Sequence, residues 1–202
     1  MASERNLTWQ PTALDPATRN ANGQRPLTLW FTGFSGSGKS TLAFAMERLL
    51  VGQGIACCVL DGDNIRHGLC SDLGFDAHSR TENIRRVAEV ARLMNDAGLV
   101  VMAAFISPYR RDRDRARDII GAERFHEIHV SAPLDVCEGR DPKGLYRKAR
   151  AGVLSGFTGI DDPYEAPPAP DEALNTDSLS LERCMEILLA RVRGGEGGER
   201  CS

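Results

Sequence analysis

The sequence predicts one α/β domain of three layers, in which helices cover both faces of a mostly parallel, five-stranded sheet. Short runs rich in apolar and β-branched residues alternate with longer segments of helical periodicity, and that alternation is typical of parallel βα units. The length of 202 residues, with 42% hydrophobic residues, suits a single domain with a substantial core.

The individual elements follow from local composition. The β-rich runs predict strands at 27–32, 57–61, 100–107, 127–131 and 173–176. Apolar residues at helical spacing predict a helix that follows Ser40 and stops at Gly52. A capping box formed by Ser79 and Glu82 predicts a second helix, with Ser79 as its N-cap and Gly98 at its end.

One domain accounts for most of the chain, because no linker interrupts residues 27–193. Residues 1–26 are rich in Asn, Pro, Thr and Gly and predict an irregular arm. Residues 194–202 predict a flexible tail.

Composition excludes several classes of function. The chain has 25 basic and 28 acidic residues and a net charge of -3, so no positive field favours nucleic acid as a partner. The start lacks an apolar signal segment, and the longest apolar run, 99–106, is far shorter than the roughly 20 residues that cross a bilayer. We therefore expect a cytoplasmic protein with no membrane contact. The cysteines and histidines show no zinc-site spacing.

The most specific pattern is the segment GFSGSGKS at residues 33–40, which fits G-x-x-x-x-G-K-[ST] between a predicted strand and a predicted helix. A loop in that position binds phosphate at the helix N-terminus. Lys39 supplies a mobile charge for the β and γ phosphates, and Ser40 supplies a hydroxyl ligand for Mg²⁺. The predicted nucleotide-binding residues are Gly33, Phe34, Ser35, Gly36, Ser37, Gly38, Lys39, Ser40, Thr41 and Arg140.

Other patterns narrow the class of nucleotide protein. The Asn-Lys-x-Asp motif of guanine-specific switches is absent, and no G-x-G-x-x-G follows the first predicted strand, which disfavours a dinucleotide fold. The length best fits a small P-loop kinase that phosphorylates a small acceptor. A kinase for another acceptor, such as a sugar acid or a nucleoside, and a non-catalytic nucleotide-binding regulator remain alternatives.

Polar residues after the second predicted strand indicate the acceptor side. Asp61, Asp63 and Arg66 follow this strand, at the carboxyl edge where open α/β sheets bind ligands. Asp63 is the candidate that orients or deprotonates the acceptor hydroxyl, whereas Asp61 is equally well a turn former. Arg80 and Asn83 share one face at the start of the second predicted helix and form a candidate anion site.

Two further basic segments have different interpretations. Clustered cations at 140–150, with glycines on both sides, predict a lid over about residues 140–160 that closes over phosphates. The run RRDRDRAR at 110–117 alternates with aspartates and predicts a solvated helical face. The phosphate loop and the lid contain all three lysines of the chain, Lys39, Lys143 and Lys148.

Several segments occur together in the order typical of one family. They are FTGFSGSGKST, LDGDNIRHGL, DLGF, RTENIRR, AFISPYR, RDPKGLYRKARAG and GFTGIDDPYE. The ensemble spans about residues 6–176 and closely resembles the adenylyl-sulfate kinase family. This resemblance implies ATP-dependent, Mg²⁺-dependent phosphorylation of the 3′-hydroxyl of adenosine 5′-phosphosulfate, which yields 3′-phosphoadenosine 5′-phosphosulfate and ADP.

The resemblance also implies which residues serve the reaction. Lys39, Asp63 and Ser107 would be catalytic, and the adenine of the acceptor would lie between the rings of Phe75 and Phe157. The residues implied to surround the acceptor are Asp63, Asn64, Arg66, Phe75, Arg80, Asn83, Ile106, Ser107, Lys143, Gly156 and Phe157.

Ser107 matches the position that the family assigns to a phosphoserine intermediate. One in-line transfer would keep the γ-phosphoryl group clamped throughout, so our hypothesis is that Ser107 is mainly an acceptor ligand. The resemblance further implies a homodimer, and an upstream sulfate adenylyltransferase as the neighbouring enzyme in sulfate activation.

Overall fold

Five parallel strands form the centre of residues 23–194, which the computed structural model describes together with Thr8, Gln10 and Ala13. The strands are β1 (Thr28–Thr32), β2 (Cys57–Asp61), β3 (Val100–Ala104), β4 (Phe125–Val130) and β5 (Glu172–Leu174). Their order in the sheet is β2-β3-β1-β4-β5, and every pairing is parallel. The predicted α/β class and five-stranded sheet are confirmed. The predicted arm and tail lie almost entirely outside the described residues.

Helices connect these strands. They are α1 (Lys39–Gly52), α2 (Gly62–Arg66), α3 (Ala77–Asp96), α4 (Arg110–Ile120), α5 (Leu134–Arg140), α6 (Leu145–Arg150) and α7 (Leu181–Val192). In the described part of the chain, no helix has both the length and the apolar character needed to cross a membrane.

Two apolar cores lie on opposite faces of the sheet, because successive strand residues point to opposite sides. Leu29 and Phe31 of β1 pack with α1 and α7, whereas Trp30 packs with α3 and α4. Leu29, Trp30 and Phe31 are fully buried. Helices on both faces therefore cover the sheet, and its carboxyl edge carries the loops that hold polar residues.

The predicted N-cap of the second long helix is wrong. Helix α3 begins at Ala77, and its N-cap is Asp76, whose carboxylate accepts hydrogen bonds from the backbone N–H and the hydroxyl of Ser79 at 3.0 and 2.6 Å. An ionised carboxylate is the stronger acceptor, so Ser79 serves as its donor. Arg80 consequently lies one turn inside the helix instead of at its first position.

The predicted solvated face at 110–117 is wrong at two positions. Asp112 and Arg113 on α4 are only 3% and 1% exposed. Asp112 accepts a hydrogen bond from the Thr81 hydroxyl at 3.0 Å, and Arg113 donates to Glu127 at 2.6 Å. These partners lie on α3 and β4, so the alternating charges along α4 do not reveal them.

Candidate active site

The phosphate loop joins β1 to α1 and bends at glycines. Gly36 and Gly38 have φ values of +76° and +103°, a left-handed backbone that favours glycine. A Cβ at Gly33 would collide with the carbonyl oxygen of Val130, so the loop lies directly against β4. Gly38 is the N-cap of α1, and the N–H groups of that first turn are available to an anion. This geometry suits a phosphate group.

The Lys39 side chain folds back over this loop. Its Nζ donates to the carbonyl oxygens of Gly33 and Phe34 at 2.9 and 2.6 Å and lies 3.4 Å from the Ser37 hydroxyl. Lys39 is 8% exposed, and burial lowers the pKa of its ammonium to about 8. A bound phosphate would supply a negative partner for this buried cation and raise its pKa again.

Ser40 and Asp61 connect the phosphate loop to the end of β2. The Ser40 hydroxyl donates to Oδ2 of Asp61 at 2.7 Å. Oδ1 of Asp61 accepts from the backbone N–H groups of Asp63 and Asn64 at 3.1 and 3.5 Å, so Asp61 is the N-cap of α2. Asp61 is 7% exposed and does more than form a turn. A hydroxyl and a carboxylate side by side are oxygen ligands of the kind that Mg²⁺ prefers.

Two residues of the predicted lid contact the loop directly. The Tyr146 hydroxyl donates to the Ser35 carbonyl at 2.9 Å. Arg140 donates to the hydroxyl and the carbonyl of Thr176 at 3.0 and 2.9 Å, and the Thr176 hydroxyl donates to the Ser37 carbonyl at 2.7 Å. The predicted lid thereby places a cation, Arg140, beside the phosphate loop.

Asp63 and Lys143 form an ion pair across the site. Asp63 belongs to α2, whereas Lys143 precedes α6 in the predicted lid, so the pair joins this segment to the carboxyl edge of the sheet. The side chains are 63% and 53% exposed, and solvent weakens such a pair. Lys143 is therefore a cation that can exchange partners.

Arg66 and Arg80 organise the segment around Phe75. The Arg66 guanidinium lies 4.3 Å from the centre of the Phe75 ring and donates to the Gly74 carbonyl at 2.9 Å. Arg80 donates to the carbonyl oxygens of Phe75 and Gly156, so it connects this segment to the end of the lid. The two predicted arginines and Gly156 thus come together.

The two predicted stacking rings differ in their surroundings. Phe75 is 64% exposed, whereas Phe157 is 7% exposed and packs edge-on against Tyr146, with 5.0 Å between ring centres. Arg80 reaches both segments, because it bonds the Phe75 carbonyl and the carbonyl of Gly156. The stacking of an adenine between these rings stays a prediction.

Asn83 carries a buried polar atom for which the described residues provide no hydrogen-bond partner. Asn83 is 5% exposed, and its Oδ1 accepts no hydrogen bond. Leaving a buried acceptor unpaired costs about 1–3 kcal/mol. Asn83 lies on α3 close to Arg80, so the unpaired oxygen agrees with the predicted ligand-binding role.

Ser107 lies just beyond β3 in a strained conformation. Its φ is +39°, and a non-glycine residue in a sparsely populated backbone region costs about 1–3 kcal/mol. This turn ends β3 at Ala104 instead of the predicted Ser107. The Ser107 hydroxyl accepts from Trp30 Nε1 at 3.2 Å, and Thr32 donates to the neighbouring Ile106 carbonyl at 2.7 Å. Ile106 and Ser107 therefore adjoin the base of the phosphate loop.

The remaining predicted site residues are Phe34, Thr41 and Asn64. The Phe34 ring packs against Tyr164, with 4.9 Å between ring centres. Thr41 is exposed in the first turn of α1, and Asn64 is exposed on α2.

Sequence reasoning missed several residues that support the site. Thr158, which is 1% exposed, accepts from Arg80 at 2.8 Å. Asp161 accepts from the backbone N–H groups of Gly156 and Phe157 at 2.7 and 2.6 Å. The motif GFTGIDDPYE contains Thr158 and Asp161, but a motif alone does not show their contacts. Thr176 and Arg113 have no such local signal.

Comparisons with known proteins agree on one family. The family model for adenylylsulphate kinase matches residues 25–175. An adenylyl-sulfate kinase from Geotalea uraniireducens (strain Rf4) is 55% identical over 196 residues, which cover 96% of this chain and 94% of that protein.

Solved structures give a similar result. The structure of the Mycobacterium tuberculosis APS kinase CysC in complex with AMPPNP and APS is 46% identical, with a TM-score of 0.79, and the match covers 85% of this chain and 99% of that one. A hexameric APS kinase from Thiobacillus denitrificans is 32% identical, with a TM-score of 0.64, and the match covers 88% of this chain and 30% of that one.

Proposed function

The chain belongs to the adenylylsulphate kinase family, and from this premise we propose how its site transfers the γ-phosphoryl group of ATP to the 3′-hydroxyl of adenosine 5′-phosphosulfate. One observation carries the proposal. Asp61 binds Ser40 of the phosphate loop, and Asp63, two residues later, pairs with Lys143 of the lid. The donor side and the acceptor side therefore meet at one edge of the sheet.

The donor nucleotide binds the phosphate loop. Its β and γ phosphates accept hydrogen bonds from the N–H groups of the loop and of the first turn of α1, and Lys39 leaves the carbonyl oxygens of Gly33 and Phe34 to follow the γ-phosphoryl group. Arg140, beside the loop, adds a second cation. These groups hold the charge of the phosphates while the γ-phosphoryl group moves.

Mg²⁺ fits the pair formed by Ser40 and Asp61. The Ser40 hydroxyl would bind the ion, and the Asp61 carboxylate would hold that hydroxyl in place. Held there, Mg²⁺ would supply charge neutralisation and orientation for the phosphates.

Asp63 is the group that receives the acceptor proton. It sits on α2, whose N-terminus is fixed by Asp61, and a carboxylate in that position orients a hydroxyl for in-line attack. Lys143 pairs with it before the substrates bind. When the phosphates arrive, Lys143 moves to them and exposes Asp63 to the acceptor hydroxyl.

The acceptor occupies the space bordered by Phe75, Arg66, Arg80 and Asn83. Arg66 and Arg80 are cations next to an exposed aromatic ring, which suits a nucleotide that carries a 5′ anion and a flat base. The unpaired Oδ1 of Asn83 accepts a hydrogen bond from the acceptor. Ser107 contributes as a ligand of the acceptor and does not carry the phosphate.

The proposal also includes the oligomeric state of the enzyme, its cellular compartment and the enzyme that acts before it. The family usually forms homodimers, and we expect a homodimer here, although the relative from Thiobacillus denitrificans is hexameric. Five cysteines of the described residues are unpaired thiols, which suits a reducing cytoplasm. Sulfate adenylyltransferase would act upstream and supply the acceptor.

The test is ADP release in a coupled assay with a panel of acceptors. We expect ADP to form with adenosine 5′-phosphosulfate and Mg²⁺-ATP, and not with gluconate, adenosine or 5′-AMP. ADP release with another acceptor alone would assign a different substrate. ATP binding without product from any acceptor would indicate a regulator.

A further inference from the structure

Arg113 is a buried cation to which the proposed reaction gives no role. It is 1% exposed, and its side chain makes three hydrogen bonds. Nε donates to Glu127 Oε1 at 2.6 Å, one terminal nitrogen donates to the Ser107 carbonyl at 2.8 Å, and the other donates to the Glu165 carbonyl at 2.7 Å. The three acceptors lie on β4, on the loop after β3, and on the segment that follows the lid.

Arg113 contacts Ser107, whose backbone conformation is unfavourable. Ser107 has a φ of +39°, and such a conformation persists only where neighbouring groups hold it. The Ser107 carbonyl accepts from Arg113 at 2.8 Å, and its hydroxyl accepts from Trp30 at 3.2 Å. The Ser107 backbone is therefore anchored by Arg113 on one side, and its side chain is anchored by Trp30 on the other.

The contact with Glu165 fixes the segment that leaves the lid. The Glu165 carboxylate accepts from the Arg110 backbone N–H at 2.7 Å, and the Glu165 N–H donates to the Pro108 carbonyl at 2.9 Å. In the same segment, Asp162 accepts from the Tyr109 hydroxyl at 3.1 Å. The chain after the lid is thus bound to residues 107–113 at several points, and Arg113 is the innermost of them.

We propose that Arg113 is a positioning residue that holds Ser107 in its left-handed conformation and joins it to the chain after the lid, so that both sides of the acceptor site keep a fixed separation. This inference rests on the proposed function. Glu127 balances the buried charge of Arg113 and orients its guanidinium. Arg113 acts through Ser107 and Glu165 and does not touch the acceptor.

A lysine cannot replace Arg113 in this role. The planar guanidinium reaches three acceptors in different directions, whereas a lysine ammonium is a point charge at the end of a flexible stem. Arg113→Lys keeps the charge opposite Glu127 but gives up the simultaneous bonds to the Ser107 and Glu165 carbonyls. Small displacements of a positioned group reduce activity by as much as about 100-fold.

The test separates acceptor binding from nucleotide binding. In Arg113→Lys, we expect the KM for adenosine 5′-phosphosulfate to rise about 10- to 100-fold, while the Kd for a non-hydrolysable ATP analogue stays within about twofold of the wild-type value. A merely structural defect lowers the active fraction, so kcat would fall with the KM unchanged. That second result would overturn the proposal.

Matched variants keep the test decisive. Arg117→Lys removes a guanidinium from the same helix, where Arg117 binds Asp171 at 3.2 Å, and should leave both constants unchanged. If Arg113→Lys does not fold, the double variant Arg113→Met/Glu127→Leu removes the ion pair without leaving a buried charge. We expect it to show the same rise in KM, and a wild-type KM in this variant would contradict the proposal.

A second readout needs no acceptor. The Trp30 indole N–H donates to the Ser107 hydroxyl, so its NMR resonance reports where Ser107 lies; Trp9→Phe distinguishes it from the other tryptophan. The resonance should move in Arg113→Lys and stay in Arg117→Lys. An unmoved resonance in Arg113→Lys would overturn the positioning role, whatever the enzyme phosphorylates. Failure of the wild type to phosphorylate adenosine 5′-phosphosulfate would refute only the proposed function.

Discussion

Asp61 offers the sharpest test of how the nucleotide side is built. Its two carboxylate oxygens serve different partners, because Oδ2 binds the Ser40 hydroxyl at 2.7 Å and Oδ1 caps α2. Asp61→Ala removes both functions. Asp61→Asn keeps an oxygen for the cap and removes the negative charge that faces Ser40.

The structure gives the expected sizes of these effects. Loss of an N-cap costs about 1 kcal/mol, and a hydrogen bond to a charged group contributes about 1.5–3 kcal/mol. Asp61→Ala should therefore lose about 2.5–4 kcal/mol of unfolding free energy. Asp61→Asn should lose about 1 kcal/mol, or about 2–4 °C in Tm for a chain of this size. A partner that positions a metal ligand changes metal affinity or activity about 10- to 100-fold.

The assay is a Mg²⁺ titration of ADP formation at a fixed ATP concentration, with thermal unfolding of each variant. We expect Asp61→Asn to need about 10- to 100-fold more Mg²⁺ for half-maximal rate while its fold survives. Asp72→Asn is the control, because Asp72 forms an exposed ion pair with Arg86 at 2.6 Å. A wild-type Mg²⁺ requirement in Asp61→Asn would refute the role of Asp61 as the partner that positions the metal ligand Ser40.

Four further outcomes are expected. Lys39→Arg should abolish transfer in the ADP assay, because the buried ammonium follows a moving phosphate and a guanidinium does not fit; wild-type turnover would contradict this. Ser107→Ala should still turn over, and loss of all turnover with intact folding and acceptor binding would restore a phosphoserine route. Lys143→Arg should reduce kcat strongly, whereas Lys148→Arg, on the exposed face of α6, should change little. Burial lowers the pKa of His129, so its folded form resists protonation and unfolding free energy should fall as pH drops below about 6.5; chemical denaturation of His129→Gln should show a weaker fall.

The sequence predicts the fold well because its strongest signals are local. The motif at residues 33–40 needs a strand before it and a helix after it, and apolar runs of strand length alternate with helical periods. The parallel order β2-β3-β1-β4-β5 places the ends of β1, β2 and β3 together. The phosphate loop follows β1, Asp63 and Arg66 follow β2, and Ser107 follows β3.

The wrong predictions concern residues whose hydrogen-bond partner cannot be inferred from a local sequence pattern. Asp76 is the cap of α3, because its carboxylate accepts from the backbone N–H of Ser79. The helix therefore begins three residues earlier than predicted, and Ser79 lies inside its first turn. The charges of α4 alternate as a solvated face does, yet Arg113 is buried by Glu127 and by the Glu165 carbonyl. A local sequence periodicity does not predict contacts with residues so far away in the chain.

Asp61 shows a third kind of limit. An Asp-Gly pair after a strand is equally compatible with a turn and with a functional role at the acceptor side, and the sequence leaves both open. In the structure Asp61 caps α2 and also accepts from the Ser40 hydroxyl, so it both forms the turn and contacts the helix that begins in the phosphate loop.

The most direct measurement follows phosphate from ATP that is radiolabelled at its γ-position, with Mg²⁺ and adenosine 5′-phosphosulfate present. The account predicts one labelled acceptor per ADP, with a label that a 3′-nucleotidase removes, in wild type and in Ser107→Ala. ADP formation without a labelled acceptor, or a label attached elsewhere than at the 3′-hydroxyl, would contradict it.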